Sequence, residues 1–300
     1  MRRQPVIAPT NHTRPLGLPI ASFEFKQTTP KGACGNVLIW ILRNSIMKSN
    51  VEWRLWGKLD PLYGVASWAG RQRGGKNPWS DEEFYALGED WHDFDKAWRS
   101  TVGYQPGIVL EIGSGAGRIT RMLAQTFEGV VATDVSAEML DYARARIPAQ
   151  NVSWQVSDGD HIPSADGSVD AVFSCHVFQH FSSNEAQRAT FAEVHRVLKP
   201  GGSFFVHLPI HGFPEANIAY SRLARAMYKG FLRLTAARAS LRRMMIRAGL
   251  KRPYMHGISY EMPQLFADLA DMGFSDLTFS AIKARASSGI HTCIAGRKAA

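Results

Sequence analysis

The stretch Ile108-Val-Leu-Glu-Ile-Gly-Ser-Gly-Ala-Gly-Arg-Ile-Thr120 puts a strand, a glycine turn and a helix start into thirteen residues. Ile108 to Ile112 reads as a parallel strand buried on both faces, interrupted only by Glu111. Gly113, Gly115 and Gly117 can take positive φ and let a ligand approach the backbone where a side chain would block it. The following helix carries Ile119, Met122, Leu123 and Phe127 on its apolar face. Strand, glycine turn and helix N-terminus together make a nucleotide-type site.

Glycines at this spacing occur by chance, so the context matters. Asp134 follows Gly113 by twenty-one residues and closes the next apolar run, Val130 to Thr133. A carboxylate at the end of a second strand can accept hydrogen bonds from both hydroxyls of a ribose. The alternative for Asp134 is to cap the helix after it. At this point the sequence resembles the class I S-adenosylmethionine-dependent methyltransferases, specifically those with a type 11 domain. The resemblance rests on Glu111 to Gly117 and on Asp134-Val-Ser-Ala-Glu-Met-Leu140, and it extends over about residues 79–210 and 259–297.

The rest of the chain agrees with an α/β, doubly wound, Rossmann-like sheet. Ser80 and Glu83 form a capping box, after which Phe84, Leu87, Trp91, Phe94 and Trp98 recur at helical spacing. A helix starting at Ser136 buries Met139, Leu140, Ala143 and Ile147. Strands are expected at Val152–Val156, Val169–Ser174 and Ser203–Leu208, with a helix before the Lys199-Pro-Gly-Gly202 turn. Pro263 opens the last helix and Gly273 ends it; Phe274 to Lys283 and Ile290 to Ala295 then form two strands joined around residues 287–289. The resemblance implies seven strands, with that hairpin as the terminal antiparallel feature.

Composition bounds the rest. The longest apolar run, Val37 to Leu42, has six residues, against roughly 20 for a membrane span. Three scattered cysteines, Cys34, Cys175 and Cys293, form no disulfide framework and no zinc motif, and fit a cytoplasmic location. Residues 1–50 read as a disordered leader, within which Met47 is a candidate alternative start, and residues 51–78 read as an N-terminal extension. The net charge of +9 is concentrated in residues 211–258, where ten Lys/Arg face one acid, Glu215. Leu223, Met227, Leu234, Leu241 and Met245 give that segment an apolar face, so it reads as a basic helical insertion. Such a segment suits an anionic acceptor or an anionic membrane surface as a peripheral contact.

The resemblance implies S-adenosyl-L-methionine as cofactor, held by Glu111, Gly113, Gly115, Gly117, Asp134, Val135, Asp158, Gly159 and Cys175. Val135 would lie on the adenine, and the Asp158 carboxylate would accept from the adenine amino group, in preference to Asp160. The longer motif Ile162-Pro-Ser-Ala-Asp-Gly-Ser-Val-Asp170 sets that register. Glu111 would accept from glycine-loop N–H groups or the methionine ammonium. Arg118 would meet the methionine carboxylate or lie on the surface, and Tyr85 or Trp91 would pack on the core or line the site. Cys175 reads as a small apolar filler. The catalytic candidates are His176, as a general base, and His180, more in a packing role. Their i, i+4 spacing lacks the Glu and third ligand of a metal motif, so no metal is expected.

The function implied is methyl transfer to a small-molecule or lipid-linked acceptor by direct displacement, with the insertion as a lid. RNA methylation is the alternative within the class, but no Asn-Pro-Pro-Tyr motif or RNA module is evident. An NAD-dependent oxidoreductase would want glycine where Arg118 stands. A non-catalytic cofactor-binding protein is the remaining alternative.

Overall fold

Ile108 to Ile112 forms an interior strand of the sheet, third of seven, as its apolar character on both faces requires. A computed structural model describes residues 49–181, 183–209, 260–287 and 289–300. The expected leader, apart from its last two residues, and the basic insertion at 211–258 lie outside the described residues. In chain order the elements begin with α1 (Ser49–Leu59), α2 (Pro61–Val65), α3 (Asp81–Ala86) and α4 (Trp91–Ser100). There follow β1 (Ile108–Ile112), α5 (Thr120–Thr126), β2 (Gly129–Asp134), α6 (Ala137–Arg144), β3 (Val152–Val156) and β4 (Val169–Ser174). The chain continues through α7 (Asn184–Val197), β5 (Leu198–His207), α8 (Met262–Asp271), β6 (Phe274–Lys283) and β7 (Ile290–Lys298).

The seven strands lie in the order β3-β2-β1-β4-β5-β7-β6. β1 through β5 pair in parallel, and β7 pairs antiparallel with both β5 and β6. The expected terminal hairpin is therefore β6–β7, inserted with β7 inward. Strand order reverses between β1 and β4, which opens a crevice at their carboxyl ends.

Side chains alternate across the sheet and feed two cores. On one face Phe173 and Phe205 pack with Trp91, Phe94 and Trp98 of α4 and with Leu123 of α5. On the other, Leu110, Val172 and Phe204 meet Phe191 and Val194 of α7 and Leu265 and Leu269 of α8. Each such side chain contributes about 1.5–3 kcal/mol through burial. The buried Trp98 indole N–H donates to Ser203 Oγ at 3.1 Å, which ties α4 to β5.

The single helix expected from Ser80 to Trp98 is two helices joined by a 3-10 turn, Leu87–Asp90, with the capping box of Ser80 and Glu83 in place. The apolar face stays continuous across the break, because Leu87, Trp91 and Phe94 are all buried. The region read as an extension folds as α1 and α2, which pack on α6 through Trp56, Tyr63 and Met139.

Candidate cofactor site

Glycine supplies positive φ at Gly113 (74°), Gly115 (54°) and Gly117 (83°), so the chain turns sharply from β1 towards α5. The three serve different neighbours. Gly113 and Gly115 line a cavity of about 460 Å³ at the β1/β4 crevice. Gly117 does not; a Cβ there would lie 2.5 Å from Ile147 Cδ1 and 2.9 Å from Ala143 Cβ. Its role is close packing against α6 and the residues just after it rather than ligand approach, a correction to the expectation that all three open onto a ligand.

Asp134, at the end of β2, lines the same cavity. Its Oδ2 accepts the Gly115 N–H and its Oδ1 the Ser136 N–H, both at 2.9 Å. The cap of α6 is Ser136, whose hydroxyl accepts the Met139 N–H, so Asp134 is not the helix cap. Burial pushes its carboxyl up, opposed by the three N–H groups of Ser136, Gly115 and Val135. Each carboxylate oxygen retains a lone pair for a hydroxyl donor. Val135 and Gly159 also line the cavity.

Asp158 is placed otherwise than expected. Its Oδ1 accepts the N–H groups of Asp160 and His161, both at 2.8 Å, and the side chain is 62% exposed, off the cavity wall. Those N–H groups hold its carboxyl below the usual range. A short acidic side chain followed by Gly satisfies its own turn first. Asp160 and His161 line the cavity instead.

Glu111 is 4% exposed, and Thr120 Oγ1 donates to its Oε2. The expected glycine-loop N–H groups are not its partners: those of Gly113 and Ser114 go to Thr133 O at 2.8 and 2.9 Å. The Glu111 carboxyl is pushed up to about 7 by burial, against the Thr120 hydrogen bond and the Arg118 charge.

Arg118 is a buried wall of the cavity, 9% exposed, and the surface alternative for it fails. Its Nη1 donates to Leu87 O at 3.2 Å and lies 3.7 Å from Oδ2 of Asp90, a fully buried carboxylate. Asp90 Oδ1 in turn accepts the N–H groups of Ala286 and Ser287 at 2.8 and 3.0 Å. Tyr85 and Trp91 are core residues that do not line the site; they donate to Ala116 O and Thr126 Oγ1. The wall contributed from upstream is Asn50 and Trp53 of α1, residues 64–68 and Leu87. Asn50 donates to Asp158 O at 2.5 Å and Arg54 to Val135 O at 3.0 Å, so α1 is fastened to two of the cavity's loops.

Cys175, His176 and His180, after β4, line the inner wall. Burial pushes the Cys175 thiol up to about 12, which makes it a poor nucleophile. His176 holds a φ of 62°, uncommon outside glycine and the sort of strain that collects at functional sites. Its backbone N–H donates to His207 Nδ1 at 3.2 Å, and the two rings lie 4.2 Å apart between centroids. Burial drives His176 well below the ordinary imidazole range, and His207 down to about 3. His180 packs edge-on to Trp53 at 5.0 Å and pairs with Gln179 Nε2 at 3.0 Å, as suits a packing role.

The cradle fits an adenosyl ligand: a carboxylate stands at the second strand's end, and Gly113 and Gly115 line the cavity beside it, with Val177 and Val65 occupying the places a Cβ on either would need. Residues 110–206 match the family model of a methyltransferase domain. Over 118 residues the chain is 34% identical to the demethylmenaquinone methyltransferase of Tropheryma whipplei, covering 37% of this chain and 48% of that one. Over 138 residues it is 32% identical to the malonyl-[acyl-carrier protein] O-methyltransferase of Methylococcus capsulatus, covering 45% and 48%. The chain thus spans less than half the length of these curated relatives. A putative methyltransferase of Haloferax volcanii, solved with the Trm112 methyltransferase activator, superposes with a TM-score of 0.49 at 18% identity, over 73% of this chain and 97% of that one. Residues 110–206, which hold the glycine turn and the carboxylate at the end of β2, thus form a methyltransferase domain of the class I S-adenosylmethionine-dependent type.

Proposed function

We propose that the protein transfers a methyl group from S-adenosylmethionine to a small-molecule or lipid-linked acceptor, one that carries negative charge. The observation that carries this reading is the joined pair of Gly115 and Asp134 facing one cavity at the sheet's switch point. Bound there, the cofactor supplies a sulfonium methyl with a good leaving group, so the protein's task is alignment.

Asp134 accepts the ribose hydroxyls while the Gly115 N–H holds its carboxylate in place. Gly113 and Gly115 admit the methionine end along the backbone, and Val135 with residues 159–162 encloses the adenine. Arg118, fixed by Leu87 O and Asp90, offers positive potential at the methionine carboxylate. α1 and residues 64–68 exclude water from the opposite side. His176 faces the acceptor's side as a neutral hydrogen-bonding group; its burial leaves it too weak a base to hold a proton at neutral pH.

The charge assigned to the acceptor rests on sequence, since the ten Lys/Arg of residues 211–258 lie outside the described residues. No helix among the described residues is long and apolar enough to cross a membrane. The reading is tested by incubating cell extract with the protein and methyl-labelled cofactor, then sorting labelled products by mass spectrometry. Label in an acidic metabolite or lipid supports it; label confined to RNA, or none in any fraction, refutes it.

A further inference from the structure

Two strand ends bring together side chains that are far apart in sequence. β4 and β5 are paired in parallel with Ser174 opposite Val206, so Cys175, His176 and His207 leave the sheet at one level. Their ligand atoms lie within 4.8 Å of one another. A further imidazole, His291 on β7, has its ring centroid 4.9 Å from that of His176 and 5.1 Å from that of His207. His291 is 5% exposed, its Nε2 pairs with Ser287 Oγ at 2.8 Å, and its Nδ1 has no hydrogen-bond partner. A thiol and three imidazoles therefore meet at the inner wall of the cavity, Cys175 and His176 half-buried and His207 and His291 buried.

We propose that Cys175, His176 and His207 form a binding site for a zinc-class cation, with a fourth position open to the cavity. Three protein ligands and one open position is the arrangement of reactive rather than structural zinc sites. Tetrahedral zinc with thiolate and imidazole ligands sets its donor atoms about 3.3–3.6 Å apart. The three side chains reach that spacing by closing at most about 1.2–1.5 Å from separations within 4.8 Å, which rotation about their χ angles supplies. The His176 N–H bond to His207 Nδ1 is long at 3.2 Å, and ligation through Nδ1 replaces it. Arg118 Nη2 lies 3.9 Å from Cys175 Sγ and favours the thiolate, while Asp90 offsets the guanidinium charge from the other side. Cys175 gives its proton to solvent as the sulfur–metal bond forms. A thiolate with imidazoles selects zinc over magnesium or calcium. Binding of the ion stands apart from the methyl-transfer reading; that its open position takes a thiol or hydroxyl of the acceptor rests on it.

Untagged full-length protein, stripped of metal, is titrated with Co²⁺ and then Zn²⁺, with S-adenosylhomocysteine binding measured separately on the same preparation. The site predicts one Co²⁺ per chain with a thiolate-to-cobalt absorption band that Zn²⁺ displaces. Cys175→Ser abolishes the band, and His207→Ala weakens cobalt binding at least tenfold, with circular dichroism reporting the fold of each variant. In the unmutated protein, Zn²⁺ protects Cys175 from alkylation, read peptide by peptide. Absence of the band, its survival in Cys175→Ser, or alkylation of Cys175 indifferent to Zn²⁺ overturns the site, whatever the cofactor result.

Discussion

Asp134 and Asp158 are both acidic residues at the carboxyl ends of strands, yet their surroundings divide the work between them. Asp134 is braced by two N–H groups on the cavity wall, whereas Asp158 spends its carboxylate on its own exposed turn. Asp134→Ala should therefore weaken S-adenosylhomocysteine binding by about 1.5–3 kcal/mol, the range for hydrogen bonds to a charged group. Asp158→Ala should change it less than about 0.5 kcal/mol, as for surface substitutions; calorimetry on the two variants separates them. Glu111 gives a pH signature. Its carboxyl is raised from 4.5 to about 7 by burial, so the folded state holds a proton that the unfolded state releases. Its contribution to stability is complete below pH 4.5 and is lost as pH rises through about 7. Glu111→Gln should remove that loss and gain roughly 2–4 kcal/mol over the wild type between pH 4.5 and 8, read by denaturant melts. Asp134 could be picked out from its sequence position because strand periodicity fixes where a strand ends. The direction of the Asp158 carboxylate could not, since turn hydrogen bonds depend on local torsions that the order of residues leaves open.

At the scale of elements, the β1 turn is two devices in one. Gly113 and Gly115 face the cavity, and Gly117 lets α6 approach the turn. Gly117→Ala combines a disfavoured φ with contacts of 2.5 Å to Ile147, just past α6, and 2.9 Å to Ala143 of α6, and should cost about 1–3 kcal/mol of stability. A thermal melt checks this, and an unchanged midpoint would remove the packing role. The strands and the helices that cover them were legible because β1, β2 and β4 and the second half of β5 carry apolar runs, β3 alternates, and the helices carry stripes at 3.6-residue spacing. The cavity's upstream wall was not: residues 49–68 mix Trp, Gly and Arg without a clean period, and only packing on α6 gives them a face. The cluster of Cys175, His176 and His207 was hidden for another reason. His207 lies thirty-one residues from His176, and only the parallel pairing of β4 with β5 makes them neighbours.

For the whole molecule, the sheet order explains why chemistry gathers at one edge: the segments that carry Gly113, Asp134, Gly159 and His176 each lie at the carboxyl end of a parallel strand on either side of the β1/β4 reversal, and α1 with residues 64–68 closes over them. The charge is distributed differently, with residues 211–258 carrying a net +9 from ten Lys/Arg and one Glu. Neutralising Arg222, Arg225, Lys229 and Arg233 together should weaken binding to anionic vesicles or to an acidic acceptor. It should also flatten the salt dependence, because exposed charges act over a Debye length of about 8 Å at physiological salt. Vesicle sedimentation across a salt series reads both, and identical curves for variant and wild type would remove the segment from recognition. The most direct test of the whole account is calorimetry of the unmutated protein with S-adenosylmethionine, S-adenosylhomocysteine and NAD. The geometry of Gly113, Gly115 and Asp134 predicts micromolar-scale binding of the two adenosyl ligands and none of NAD; tight NAD binding with no heat from the adenosyl pair would contradict it.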